Sequence, residues 1–280
     1  MTTIILQGTQ LNRDKANAIV QRTGGSLIKR AHHYKISGAN NISTEQLTAL
    51  REAADFDINC LPNGFDPAQV KLLITDMDST FIGIECIDEI ADFANIKPQV
   101  SAITEAAMRG EIDFETSLKK RVALLAGLDT SALQKVYDER LTLNPGAAQM
   151  LAVLKEKEIK IALVSGGFTF FTHRLERRCQ LDYTHANQLE EADGKLTGSV
   201  TGSIVGAEAK AAFLRKLCDE LGIGLHQAVA MGDGANDLKM MKPAGLSIAY
   251  HAKPTVQAQA DVALNYCGLD GILGLLDSTT

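Results

Sequence analysis

Two acidic clusters stand out along these 280 residues: Asp76-Met77-Asp78-Ser79-Thr80 and Gly232-Asp233-Gly234-Ala235-Asn236-Asp237. Asp76 and Asp78 are two positions apart, so an extended chain aims both carboxylates to one side. Placed together they repel, and they need either a cation or a proton held on one of them. Asp233 and Asp237 could complete an oxygen-rich cage, and hard oxygen donors suit Mg²⁺, which keeps near-octahedral geometry and several waters. A third stretch, Ser165-Gly166-Gly167, offers a hydroxyl and free backbone N–H groups of the kind that hold phosphate oxygens at a helix start. Lys210 supplies a cation at the start of a helix-like segment. Each feature alone has an ordinary explanation. Aspartates follow strands as caps and turn formers, Ser-Gly-Gly is a common turn, and lysines near helix starts face water.

The elements around these residues supply what each lacks alone. Apolar runs at 72–75, 161–164 and 228–231 each end where a cluster begins, and further runs lie at 246–249 and 262–264. Helix-like segments at 147–158, 168–178 and 210–221 separate most of them. Strands apolar throughout, alternating with helices, predict an α/β fold: a Rossmann-like, doubly wound parallel sheet covered on both faces. In such sheets ligands bind beyond the carboxyl ends of the strands, where the three clusters fall. Two insertions break the alternation. Residues 83–143 are helical in pattern, and Asp193-Gly194 signals a hairpin within 183–204.

Residues 1–66 read differently. A strand at 2–6, a helix at 12–23 stopped by Gly24-Gly25, a strand at 26–36, a helix at 43–54 and a strand at 57–61 make a small α+β unit. The turn-rich segment 62–67 links it to residues 67–280.

The net charge of −6 leaves no basic footprint for nucleic acid. The short run Arg174–Arg178 reads as a solvated helix face. Five scattered cysteines with no CxxC pair argue against a zinc or disulfide framework and for a reducing, cytoplasmic setting. Residues 1–10 lack a signal-peptide pattern, and no apolar run approaches the ~18 residues that a membrane span needs.

The order Asp-x-Asp-x-Thr, Ser, Lys, Gly-Asp-x-x-x-Asp resembles the haloacid dehalogenase-like superfamily of phosphotransferases. Glu85, Glu89, Phe114-Glu115-x-Ser117-Leu118-x-x-Arg121-Val122, Val164-Ser165-Gly166-Gly167-Phe168 and Asp237-Leu238 extend that order. With them the chain is similar to the phosphoserine phosphatase family within it. Phe81, where an aliphatic residue is common, is a minor departure.

The resemblance implies Mg²⁺-dependent hydrolysis of O-phospho-L-serine through an aspartyl-phosphate on Asp76, the last step of L-serine biosynthesis. Asp78 would act as acid and base. Asp76, the backbone carbonyl of Asp78 and Asp233 would hold the metal, with Asp237 in support. Ser165, the Gly166 amide and Lys210 would take the phosphate oxygens, and Asn236 would touch substrate or phosphate. Residues 83–143 would form a cap in which Glu85 meets the serine ammonium and Arg121 its carboxylate, with Met108 and Phe114 lining the pocket. On its own, Lys119-Lys120-Arg121 reads as a basic face. Residues 1–66 resemble an ACT-like extension, which implies an amino-acid-binding module or a homodimer contact. Two alternatives stay open: a phosphotransferase passing phosphate to another alcohol, and a sensor that binds without turnover.

Overall fold

A computed structural model describes residues 2–278. The chain starts with β1 (Thr2–Gln7), α1 (Arg13–Thr23), β2 (Ser26–Lys29), β3 (Tyr34–Ala39), α2 (Thr44–Glu52) and β4 (Asp57–Cys60). Local chemistry sets the helix starts. The Asn12 side chain accepts the Lys15 N–H, and Ser43 with Gln46 forms a capping box. Where one strand at 26–36 was expected there are two. The Arg30 N–H donates to the His33 carbonyl at 2.9 Å and the chain reverses there.

The sheet order is β2-β3-β1-β4, and its neighbouring strands pair antiparallel. The β-α-β-β-α-β order with this sheet is a ferredoxin-like arrangement. Period-2 alternation divides β1 between two cores. Ile4 and Leu6 pack with Ile36 and Ile58 under the helices, while Ile5 points the other way into the core of the larger body.

That body begins with β5 (Leu72–Thr75). The cap helices follow: α3 (Cys86–Phe93), α4 (Lys97–Met108), α5 (Phe114–Ala123) and α6 (Ser131–Glu139). Then come α7 (Ala147–Glu156), β6 (Lys160–Phe168), α8 (Thr169–Cys179), β7 (Tyr183–Ala192), β8 (Lys195–Thr201) and α9 (Ala207–Leu221). The chain closes with β9 (Ala228–Gly232), α10 (Leu238–Met241), β10 (Leu246–Tyr250), α11 (Pro254–Gln257), β11 (Val262–Leu264) and α12 (Gly271–Leu275).

The sheet runs β11-β10-β9-β5-β6-β7-β8 and is parallel except where β8 returns against β7. The apolar strands are buried on both faces. Leu73, Leu163, Val229 and Met231 enter one core, and Leu72, Ile74, Val164 and Ala230 the other. Asp193 and Gly194 both take positive φ, 51° and 74°, which suits the tight turn between β7 and β8.

One irregularity matters for the site. Pairing between β6 and β7 slips between Val164 and Phe168, so Ser165-Gly166-Gly167 leaves the regular ladder at the strand's carboxyl end. Residues 84–141 cover this end as a helical cap, joined to the sheet by 82–83 and 142–144. The hydrophobic cap residues Leu118, Val122, Leu133 and Val136 share the core of the first face.

Candidate active site

Asp76 directly follows β5, the middle strand of the sheet. Its N–H donates to the Met231 carbonyl of β9 at 3.0 Å, which fixes the backbone at the point where the chain leaves the sheet. Met77–Phe81 then forms one wide turn, closed by the Ile82 N–H to the Met77 carbonyl at 3.0 Å. Ser79 within it sits at φ 56°, a left-handed conformation that lets the chain curl back over the strand end. Asp76 Oδ1 accepts the Met77 N–H at 2.8 Å, and Lys210 Nζ lies 2.7 Å from the same oxygen.

Lys210 is fully buried, in the first turn of α9 rather than at its opening. It also lies 2.7 Å from Asp237 Oδ1. Burial works against its charge, yet the carboxylates of Asp237 and Asp76 raise its pKa above the usual lysine value. Burial also pushes the Asp76 carboxyl well up, and the Asp237 charge adds to this, while Lys210 pulls the other way. The carboxylate oxygens of Asp76, Asp233 and Asp237 lie within 4.8 Å of one another. The donor set is all hard oxygen, with two of the three residues buried, and it fits a small divalent cation. Thr80 donates its hydroxyl to Asp233 Oδ1 at 3.1 Å and so joins the first acidic turn to the second.

Asp78 faces elsewhere. Its Oδ1 accepts the Cys86 N–H at 2.8 Å and its Oδ2 accepts the Ser165 hydroxyl at 3.1 Å. Burial raises its pKa, and these donors only partly offset that. A carboxyl with a raised pKa is better suited than a free aspartate to give a proton and take it back. Ser165 Oγ in turn accepts the Gly167 N–H at 2.7 Å. The two glycines leave no spare room. A Cβ on Gly167 would stand 2.8 Å from Asp78 Oδ2, and one on Gly166 would stand 2.8 Å from the Phe114 ring.

The cap supplies the outer wall. Glu85 Oε1 accepts the Ser79 hydroxyl at 2.6 Å. Its side chain reaches solvent through the cleft mouth, yet the crowding of protein around it, followed by the Asp78 charge, pushes its pKa up to about 7. Arg121 is half-buried on α5. Burial lowers its pKa, while Asp88, Glu85 and Asp78 support its charge. Phe114 stands against Gly166 and Gly206. Asn236 is half-buried in the second acidic turn beside Gly234.

The structure therefore gathers Asp76, Asp78, Glu85, Phe114, Ser165, Gly166, Lys210, Asp233, Asn236 and Asp237 around one strand-end cleft, with Arg121 at its cap side. Met108 stands apart. It ends α4 with 65% of its surface exposed, so its expected place on the pocket wall is not seen.

Two asparagines that no motif singled out complete the frame. Asn187 on β7 donates to the Gly166 carbonyl at 2.8 Å and accepts the Val205 N–H at 2.8 Å, which pins the Ser-Gly-Gly loop. Asn144 donates to the Thr80 carbonyl at 2.7 Å. Their partners lie 21 and 64 residues away, so no local pattern could have marked them.

A buried lysine clamped between carboxylates at the crossing point of a parallel sheet defines a class of hydrolase. Consistent with this, the family model for haloacid dehalogenase-like hydrolases matches residues 70–245. A phosphoserine phosphatase of Polaromonas sp. is 55% identical over 211 residues, 74% of this chain and 89% of its own length. A haloacid dehalogenase family hydrolase from Salmonella enterica superposes with a TM-score of 0.90 at 34% identity, covering 100% of this chain and 99% of its own. A phosphoserine phosphatase solved as a phospho-aspartyl intermediate analogue gives a TM-score of 0.70 at 41% identity, covering 74% and 99%. The chain belongs to the haloacid dehalogenase-like hydrolases and, within them, to the phosphoserine phosphatases.

Proposed function

We propose that the chain hydrolyses O-phospho-L-serine to L-serine and phosphate, with Mg²⁺ as cofactor and Asp76 as nucleophile. The observation that carries the reading is the division of labour between the two first-cluster aspartates. Asp76 is held against Lys210 and the metal-type acidic cluster, while Asp78 is turned away from them and held by Ser165 and the Cys86 N–H. One carboxylate is thus arranged to attack and the other to move a proton.

Asp76 attacks phosphorus and the bond from phosphorus to the serine oxygen breaks. Asp78 gives its proton to that oxygen. Asp78 then takes a proton from a water that attacks the aspartyl-phosphate, which releases phosphate and restores Asp76. Ser165, the Gly166 N–H and Lys210 balance charge on the phosphate oxygens, the main source of catalysis in phosphoryl transfer. Asp76, Asp233 and the Asp78 carbonyl would hold Mg²⁺, with Asp237 completing the acidic ring. The metal lowers the repulsion between the Asp76 carboxylate and a dianionic phosphate.

Specificity in this reading comes from the cap. Glu85 pairs with the substrate ammonium and Arg121 grips its carboxylate in a two-point fork. Asn236 contacts the phosphate side and Phe114 the serine side. Met108 would join the wall only if α4 moves inward.

Residues 1–66 form an ACT-like unit that supplies no reacting group and offer a homodimer contact; residues 67–280 form the phosphatase unit, its cap inserted at about 83–143. The ferredoxin-like strand order supports the first assignment, and sedimentation of a chain lacking 1–66 checks the contact. Five free cysteines and no described helix long and apolar enough to cross a membrane are consistent with a cytoplasmic enzyme.

The test is phosphate release from O-phospho-L-serine with Mg²⁺, beside Asp76→Asn and a chelated control. Release should be lost by at least ~10³-fold in both. Binding of phosphoserine without release by the wild type would point to a sensor. Release that yields a new phosphate ester when an alcohol is added would point to a phosphotransferase.

A further inference from the structure

The cap meets the sheet through two segments, 82–83 and 142–144. Ile82 and Leu143 form an isolated bridge, and the Gly83 N–H donates to the Thr142 carbonyl at 3.0 Å. Asn144 sits where these segments join the catalytic turn. Its side-chain nitrogen donates to the Thr80 carbonyl at 2.7 Å and to the Ile82 carbonyl at 3.3 Å, and its backbone N–H donates to the Phe81 carbonyl at 3.1 Å. Thr80 is fully buried and its hydroxyl reaches Asp233. One side chain therefore ties the hinge to the acidic cluster.

The next residues continue the line away from the site. The Pro145 carbonyl accepts the Leu269 N–H at 2.7 Å, and Gly268 lies so close to that carbonyl that a Cβ would not fit. Residues 265–267, just upstream, turn three successive N–H groups onto one carboxylate, that of Asp57 in β4. Asp57 receives Asn265 at 2.7 Å, Tyr266 at 3.2 Å and Cys267 at 3.0 Å, and is 3% exposed. Asn59, two residues on and on the same face, donates to the Ala263 carbonyl at 2.8 Å and accepts the Ala263 N–H at 2.9 Å.

We propose that Asp57 and Asn144 are positioning residues at the two ends of one backbone path, by which residues 1–66 hold the cap hinge and the catalytic turn in register. Between the Asp57 carboxylate at one end and the Asn144 amide at the other, each step is a peptide linkage, a backbone hydrogen bond or a close steric contact, with no long, mobile side chain between them. Loss of the Asn144 amide leaves the buried Thr80 carbonyl without its donor, so the turn must shift to satisfy it. Displacing reacting groups by ~1 Å costs up to ~10²-fold in rate. Asp57 acts one stage further back, and its effect is correspondingly smaller.

The experiment is amide hydrogen exchange on the full chain together with steady-state kinetics for Asp57→Asn, Asn144→Ala and Asn144→Asp. Asn144→Asp keeps the shape but removes the donor. In both Asn144 variants exchange should rise about tenfold at 79–84, and kcat should fall about tenfold with KM within about twofold. Asp57→Asn should loosen 265–270 and also 79–84, and lower kcat about threefold. The double variant should lose less than the product of the single losses, as expected for residues on one path.

Loosening at 265–270 in Asp57→Asn with wild-type exchange at 79–84 overturns the proposal, as does looser exchange at 79–84 with unchanged kcat. Should an Asn144 variant melt below assay temperature, Asp57→Asn alone decides it. The kinetic arm rests on the phosphatase reading above. If the wild type releases no phosphate from phosphoserine, that reading fails, while the exchange arm still decides whether the path exists.

Discussion

Lys210 shows how much one residue can be asked to do. With no exposure and a carboxylate 2.7 Å away on either side, it is the charge that allows Asp76 and Asp237 to be buried together. Removing one partner of a buried ionic set costs ~3–5 kcal/mol, because the others are left uncompensated. Lys210→Met should therefore lower the unfolding free energy by about that amount and reduce phosphate release by at least ~10³-fold. Denaturant titration and a phosphate assay check the two effects separately. In the proposed function Arg121 works by geometry instead of burial. Lysine would keep its charge and lose the planar two-point fork, so Arg121→Lys should lower kcat/KM for phosphoserine about tenfold or more. Wild-type kinetics from that variant would remove Arg121 from the site.

At the scale of elements, the slip in β6 is what turns a strand into a binding loop. Regular pairing through Ser165–Gly167 would tie this stretch to the β7 backbone; instead the Asn187 side chain takes the Gly166 carbonyl and the Gly167 N–H turns to Ser165 Oγ. The two glycines predict different kinetic signatures. Gly167→Ala drives a methyl against Asp78 Oδ2 and should lower kcat by ~10²-fold, since it moves a proton-transfer group. Gly166→Ala meets only the Phe114 ring, which can rotate away, and should mainly raise KM. A kcat unchanged in Gly167→Ala would show that Asp78 is not held by this contact.

At the scale of the molecule, the N-terminal sheet is sandwiched between its own helices and the end of the chain. His33 and Arg30 lie at that junction, 3.3 Å and 3.5 Å from Asp277, with Lys35 and His32 also acting on the imidazole. Burial lowers the His33 pKa, and the neighbouring cations outweigh part of what Asp277 returns. The sign follows from proton counts. The unfolded imidazole takes its proton near ~6.5, while the native one resists it. Between the native pKa and ~6.5 the unfolded state binds more protons, so stability falls as pH falls through that window. Melting followed from pH 7.5 to 5.5 should show Tm falling relative to that of His33→Gln, since the raised Glu85 carboxyl pulls the other way equally in both proteins. An equally steep fall in that variant would assign the effect to other groups.

Much of the architecture was legible because local physics and global fold agree. The runs at 72–75 and 228–231 are buried on every residue and apolar but for Thr75, which suits a strand covered on both faces, and acids follow each within two residues. The three strand-end clusters came from the same reading, since the carboxyl end of a parallel strand is where polar side chains can gather; Lys210, on a helix, did not. Residue type and order alone determined the chemistry available: two aspartates, a serine, a lysine and an acidic glycine turn.

The tertiary structure decided what each of them faces. Nothing in Asp-x-Asp says that one carboxylate turns to a buried lysine and the other to a serine hydroxyl, because their partners come from β6 and α9, 87 and 134 residues further on for Ser165 and Lys210. Asn144 and Asn187 were unreadable for the same reason. A side-chain amide is chosen by which unpaired backbone groups the fold brings to it, and those groups meet only after the chain has closed.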